Sequence, residues 1–146
     1  MTEIAFRRLH PDARLPVRAH PGDAGYDLHA VSAVEIPAGG RAAVPCGFAI
    51  ALPAGTAALV LPRSGLALRD GVTVLNAPGL IDSGYRGEVM AILANHDAEA
   101  PFAVSPGDRI AQLVIVDLPE LGFREVDELP TSERGEGGFG STGVAG

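Results

Sequence analysis

"NAPGLIDSGYRGE", Asn76–Glu88, lies between two runs of β-branched and small apolar residues, "GVTVL" (Gly71–Leu75) and "EVMAILA" (Glu88–Ala94). Runs of this length, rich in valine and separated by Gly and Pro, read as strands joined by a turn. The stretch is therefore expected to be a long hairpin. Its tip carries Asp82, Tyr85, Arg86 and Glu88. A hairpin tip needs glycine and aspartate for geometry alone, but it does not need a tyrosine. Hairpin backbone also presents alternating donors and acceptors that can read the edge of a base. Asp82 suits a general base for water, on condition that burial desolvates it while it stays ionised.

Working outward, the same alternation recurs along the chain. Further short apolar runs fall at Val31–Ile36, Arg41–Val44, Gly47–Leu52, Ala57–Leu61, Val72–Leu75, Arg109–Asp117 and Phe123–Val126. Turn residues such as "PAGG", "LPAGT" and "SPGD" separate them. Glycine and proline number 19 and 12 in 146 residues, about twice ordinary usage, which leaves little room for long helices. The one helical stretch expected is Ser64–Arg69. The fold class is all-β: a single antiparallel jelly-roll or β-sandwich domain, residues 1–129, followed by a flexible arm, 130–146.

Composition narrows the function. A net charge of −7 argues against a nucleic-acid coat protein, which needs lysine and arginine to neutralise phosphates. A small anionic ligand remains compatible, because a local arginine cluster can act against the global sign. The four histidines are not at metal-ligand spacings and the only cysteine is Cys46, so a structural zinc site has no ligand set. No apolar run approaches a membrane span, and none near the start has signal-peptide length. With a lone, core-like Cys46, a cytoplasmic address is expected.

Four more loops carry chemistry. "PGDAGYDL", Pro21–Leu28, places Asp23 and Asp27 around a glycine turn before a strand. Either aspartate alone suits an Asx turn; together they suit a hard cation completed by substrate phosphates. "PRSGLA", Pro62–Ala67, brings Arg63, Ser64 and the Gly65 amide to a strand end where a helical turn begins. That combination suits an anion, or simply an N-cap serine beside a solvated arginine. "GDRIAQLVI", Gly107–Ile115, holds Gln112 in an apolar strand, where it needs a backbone or ligand partner. "RGEGGFGSTG", Arg134–Gly143, is half glycine yet holds Arg134, Phe139, Ser141 and Thr142. A frayed tail needs none of these; an arm folding over a nucleotide uses them for phosphate and base.

Taken in order, "DAGYDL", "RSGLA", "IDSGYRGE", "GDRIAQL" and "RGEGGFGSTG" resemble the five motifs of the homotrimeric dUTPase family. The match runs from about Asp23 to Gly143. The resemblance implies a homotrimer with shared active sites, dUTP as substrate and Mg²⁺ as cofactor. It implies hydrolysis to dUMP and pyrophosphate by water attack on the α-phosphorus, which removes dUTP and supplies dUMP for dTMP synthesis. It assigns Asp82 as the base and Asp27 as a contact to Mg²⁺ through water. Arg63, Ser64, Gly65 and Gln112 would bind phosphates. The hairpin, with Asn76 and Ile81, would read uracil, and Tyr85 would pack on the deoxyribose and exclude a 2′-hydroxyl. Arg134 would reach the γ-phosphate, Phe139 would stack on uracil, and Gly140, Ser141 and Thr142 would close on the phosphates. No nucleic-acid or membrane partner is implied. Gly84 stands where many members carry a second aspartate, and Glu136 adds a negative charge to the arm. A related fold, dCTP deaminase, carries a catalytic glutamate in the strand after the hairpin; here Ile92 stands near that place and Glu88 comes four residues early. A non-catalytic nucleotide-binding module is the alternative from another class, and Asp82 with a full arm speaks against it.

Overall fold

The computed structural model describes residues 2–146. Among the described residues, eleven strands and one short helix make up the regular structure. They are β1 (Ala5–Arg8), β2 (Tyr26–His29), β3 (Val34–Ile36), β4 (Arg41–Pro45), β5 (Phe48–Ala51), β6 (Thr56–Leu61), α1 (Ser64–Asp70), β7 (Val72–Val74), β8 (Gly79–Asp82), β9 (Met90–Asn95), β10 (Phe102–Val104) and β11 (Arg109–Asp117). Every pairing is antiparallel. The principal sheets are β2-β11-β6-β8 and β4-β9-β7, with two smaller ribbons, β1-β5 and β10-β3. This is the expected jelly-roll architecture. Phe48, Leu28, Ile36, Leu93, Ile110 and Val44 are its largest fully buried apolar side chains, and the Phe6 and Phe48 rings stack 4.9 Å apart.

The hairpin expectation holds at its base and gains a strand at its tip. β7 and β9 pair with Val74 opposite Leu93, and Leu75 N–H donates to the Ile92 carbonyl at 2.8 Å. Between them the chain leaves this sheet. Gly79–Asp82 crosses to the other sheet and pairs with β6, Val60 opposite Gly79 and Ala57 opposite Asp82. The hairpin thus ties the two sheets together. Ile81 turns inward and is buried, while Leu80 and Asp82 face out, the period-2 alternation of a half-buried strand.

One expectation is corrected. Phe123–Val126 forms no strand: residues beyond Asp117 contain neither strand nor helix, and Phe123 is fully exposed. Four residues of strand propensity do not make a strand without a pairing, and no strand pairs with them. The last element of regular structure, β11, ends at Asp117. β1, β2 and β10 are not among the expected apolar runs, because β1 and β2 mix polar with apolar residues and β10 is only three residues long. Cys46 is buried as expected; burial, with Glu88 adding to it, pushes its thiol up to about 12.

Candidate active site

The hairpin forms one wall of a cleft of about 360 Å³. Asn76, Ile81, Asp82 and Tyr85 line it from the hairpin side, and Ala43, Met90 and Ile92 face them from β4 and β9. Gly79 is small for a reason: a Cβ there would sit 3.3 Å from both the Asn76 amide nitrogen and Val60. Tyr85 N–H donates to the Asp82 carbonyl at 3.0 Å, closing the turn. The Tyr85 hydroxyl donates to the Glu88 carbonyl at 3.0 Å. Glu88 itself is engaged, its carboxylate accepting from Gly47 N–H at 3.1 Å. Asp82 is exposed, so the desolvation expected of a base is not met by one chain alone.

A second group of residues lies at the far end of the same sheet. Gln112 on β11 is opposite Asp27 on β2 and Leu61 on β6, so all three project from one face. The Gln112 amide donates to the Pro62 carbonyl at 2.9 Å, which realises its backbone-bonded reading and holds it beside Arg63. Gly25 is needed here, because a Cβ would collide with the Gln112 side-chain oxygen and lie 3.3 Å from its Cβ. Asp23 accepts from His20 N–H at 2.8 Å and serves the turn; Asp27 is left facing the cluster. α1 begins at Ser64, with Arg63 as its N-cap residue and no side-chain cap bond. The Ser64 hydroxyl, exposed, is therefore not a cap, contrary to the N-cap alternative. Arg63 donates to the Arg109 carbonyl at 3.0 Å.

Arg109 was not singled out from the sequence. Its guanidinium lies 3.6 Å from the Asp27 carboxylate, so it links Asp27 to Arg63. Its presence inside "GDRIAQL" was the available signal. His29, opposite Arg109 in the ladder, was also missed. Its Nδ1 is buried without a partner. Burial first, then the Arg14 charge, lowers its pKa from the ordinary value of 6.5, against an opposing pull from Asp27.

The structure does not bring these two groups together within one chain. Asp82 pairs at Ala57 and Gln112 at Leu61, four residues apart on β6, with β8 and β11 on opposite sides of it. At about 3.3 Å per residue and about 4.8 Å per strand, Asp82 and Gln112 lie about 16 Å apart, and Asp82 and Asp27 about 20 Å. The third group, the arm, joins neither. Its hydrogen bonds stay within residues 132–143: Arg134 Nε donates to the Gly137 carbonyl at 2.7 Å, and Ser141 N–H to the Gly138 carbonyl at 3.0 Å. Phe139 is fully exposed, at a φ of 49°. Gly140, Ser141 and Thr142 are exposed as well.

A cleft edged by hairpin residues and, at the far end of the same sheet, a group formed by Arg63, Ser64 and Gln112 sit on an antiparallel jelly roll, a β-protein with two separate candidate sites. The comparisons make the class specific. The dUTPase family model matches residues 12–143. The deoxyuridine 5′-triphosphate nucleotidohydrolase of Thermobifida fusca is 56% identical over 140 residues, covering 96% of this chain and 78% of that protein. The protein of the same name from Gloeobacter violaceus is 55% identical, covering 96% of each. Among solved structures, the dUTPase of Staphylococcus bacteriophage 80alpha with dUPNHPP superposes with a TM-score of 0.91 at 29% identity, covering 99% of this chain and 100% of that one. A mutant dUTPase from phage phi11 of S. aureus, whose structure details the coordination of a structural Mg(II) ion, gives 0.81 at 25% identity over 87% of this chain and 98% of that one. The chain belongs to the dUTPase family.

Proposed function

We propose that this protein hydrolyses dUTP to dUMP and pyrophosphate, by attack of water on the α-phosphorus, as a homotrimer whose sites are each built from several copies. The observation that carries the reading is the hairpin cleft, with Asn76, Ile81, Asp82 and Tyr85 around a space of about 360 Å³. Uracil is read by hairpin backbone and the Asn76 amide; cytosine, with an amino group in place of a carbonyl, leaves buried groups unpaired. Tyr85 packs on the deoxyribose. Asp82 takes a proton from the attacking water, whose oxygen bonds to the α-phosphorus as pyrophosphate departs with the bridging oxygen. Arg63, Ser64, the Gly65 amide and Gln112 hold the phosphates. The arm, 130–146, is the mobile part: Arg134 meets the γ-phosphate, Phe139 stacks on uracil, and Gly140, Ser141 and Thr142 close over the chain of phosphates, excluding water as lids do.

The separation of about 16 Å within one chain supports sharing between copies, since a base and the phosphate clamps serving one reacting centre must lie closer. The face between the two groups supports it too. Leu80 is 64% exposed there, with Leu59, Val114 and Val116 partly exposed beside it, a strip suited to cover by another chain. A Mg²⁺ ion would take phosphate oxygens and its own waters, with Asp27, which lies 3.6 Å from the Arg109 guanidinium, as a carboxylate beside it. Bound there, Mg²⁺ would neutralise phosphate charge. Deaminase chemistry is disfavoured, because Ile92 faces the cleft and Glu88 is held by Gly47. A cytoplasmic setting rests on the single buried Cys46, and no helix among the described residues is long and apolar enough to cross a membrane. The test is pyrophosphate release in Mg²⁺ from dUTP, dCTP, dTTP and UTP in parallel. Turnover confined to dUTP supports the reading; ammonia release from dCTP, or no turnover of any of the four, refutes it.

A further inference from the structure

The two glycines of "DSGYRGE" play different parts. A Cβ on Gly84 would meet nothing within 4 Å. A Cβ on Gly87 would land on the Tyr85 ring, 2.5 Å from Cζ, 2.9 Å from Cε2 and closer still to the hydroxyl oxygen. Neither glycine has the left-handed φ that excludes side chains. The backbone φ at residue 87 is therefore open to alanine, and the three nearest atoms a Cβ would meet all belong to Tyr85. That ring is held in place from the other side. Its hydroxyl donates to the Glu88 carbonyl, and Glu88 is itself tied to Gly47 N–H across the hairpin base. The ring thus folds back over the vacant side of Gly87, with 46% of Tyr85 exposed toward solvent and the cleft.

We propose that Gly87 is the positioning residue for Tyr85, and that through Tyr85 it sets the discrimination against a ribose 2′-hydroxyl. The proposal rests on the sugar-packing role given to Tyr85 above. Because Tyr85 is half exposed, a methyl group at residue 87 has an outlet: the ring swings outward, the hydroxyl leaves the Glu88 carbonyl, and the wall against the 2′ position opens. Such a change alters which sugar is accepted more than it alters the fold.

The experiment measures kcat/KM for dUTP and UTP in the parent, Gly87→Ala, Gly84→Ala and Tyr85→Ala proteins. Gly87→Ala is expected to narrow the dUTP-over-UTP preference about tenfold or more, as Tyr85→Ala does, with Gly84→Ala at the parent ratio. The double variant Gly87→Ala/Tyr85→Ala is expected to match Tyr85→Ala alone, because residues acting through one ring are not additive. If Tyr85→Ala narrows the preference and Gly87→Ala does not, the role of Gly87 is overturned while the tyrosine reading stands. If Tyr85→Ala leaves the preference intact, the tyrosine reading fails and takes this proposal with it. Should Gly87→Ala not fold, the double variant decides: recovery of folding on removing the ring supports the proposal, and continued failure overturns it.

Discussion

A mixing experiment tests the shared site directly. The perturbation is a pair of variants, Asp82→Asn, which removes the proposed base, and Arg63→Ala, which removes a proposed phosphate clamp. The ladder registers put Asp82 at the Ala57 end of β6, while Gln112, beside Arg63, sits at the Leu61 end. The resulting separation of about 16 Å within one chain exceeds what one reacting phosphate bridges, since a base works within about 3 Å of its proton. If each site takes Asp82 from one copy and Arg63 from another, random reassembly of an equal mixture leaves about one site in four with both residues intact. The two variants, each nearly inactive alone, are then expected to recover about one quarter of parent turnover when refolded together. The assay is pyrophosphate release after co-refolding, with light scattering to count chains and distinct tags to show that both variants share one assembly. A verified mixed assembly no more active than its better component would refute the shared-site reasoning, because both residues would then belong to one chain's site.

Three further outcomes are expected. Asp82→Asn on its own lowers kcat by about 10²–10⁴-fold while dUTP analogue affinity, read by calorimetry, is retained; parent-like turnover would show that the base lies elsewhere. Deleting Arg134–Gly146 lowers turnover with little change in the thermal melt, because the arm's hydrogen bonds are internal; full activity after deletion would make the arm a tail. His29 has a native pKa below 6.5, so the unfolded chain binds its proton first as pH falls. Stability from this position is therefore lost as pH drops below about 6.5, and His29→Gln is expected to flatten the dependence of urea midpoint on pH between about 7 and 5; an unchanged slope refutes the assignment.

Much of the proposed site is legible because its candidate residues cluster in short stretches whose chemistry is local. Arg63, Ser64 and Gly65 are neighbours in the chain, as are Asp82 and Tyr85, and their side chains face where strand alternation and turn geometry send them. Gln112 was legible as a question, since an amide in an apolar strand needs a partner; the structure answers it with the Pro62 carbonyl. Arg109 was not legible. Its part depends on Asp27 and Arg63, 82 and 46 residues away in number, and only the β2-β11-β6 register brings all three together. Phe123–Val126 failed in the opposite sense: its pattern is strand-like, but a strand exists only with a partner edge.

The sequence by itself determined the alternation that makes the chain all-β, the turns that cut it into short strands, and the chemical content of each loop, because these depend on residues within a few positions of one another. Tertiary structure decided the rest. It made Gly79–Asp82 a strand by pairing it with β6, and it set Gly25 and Gly87 as glycines by placing Gln112 and Tyr85 over them. It also put Asp82 and the Gln112–Asp27 group at opposite ends of one sheet. Distances across a sheet are fixed by strand register, and register is settled only when the apolar faces of both sheets close on a common core.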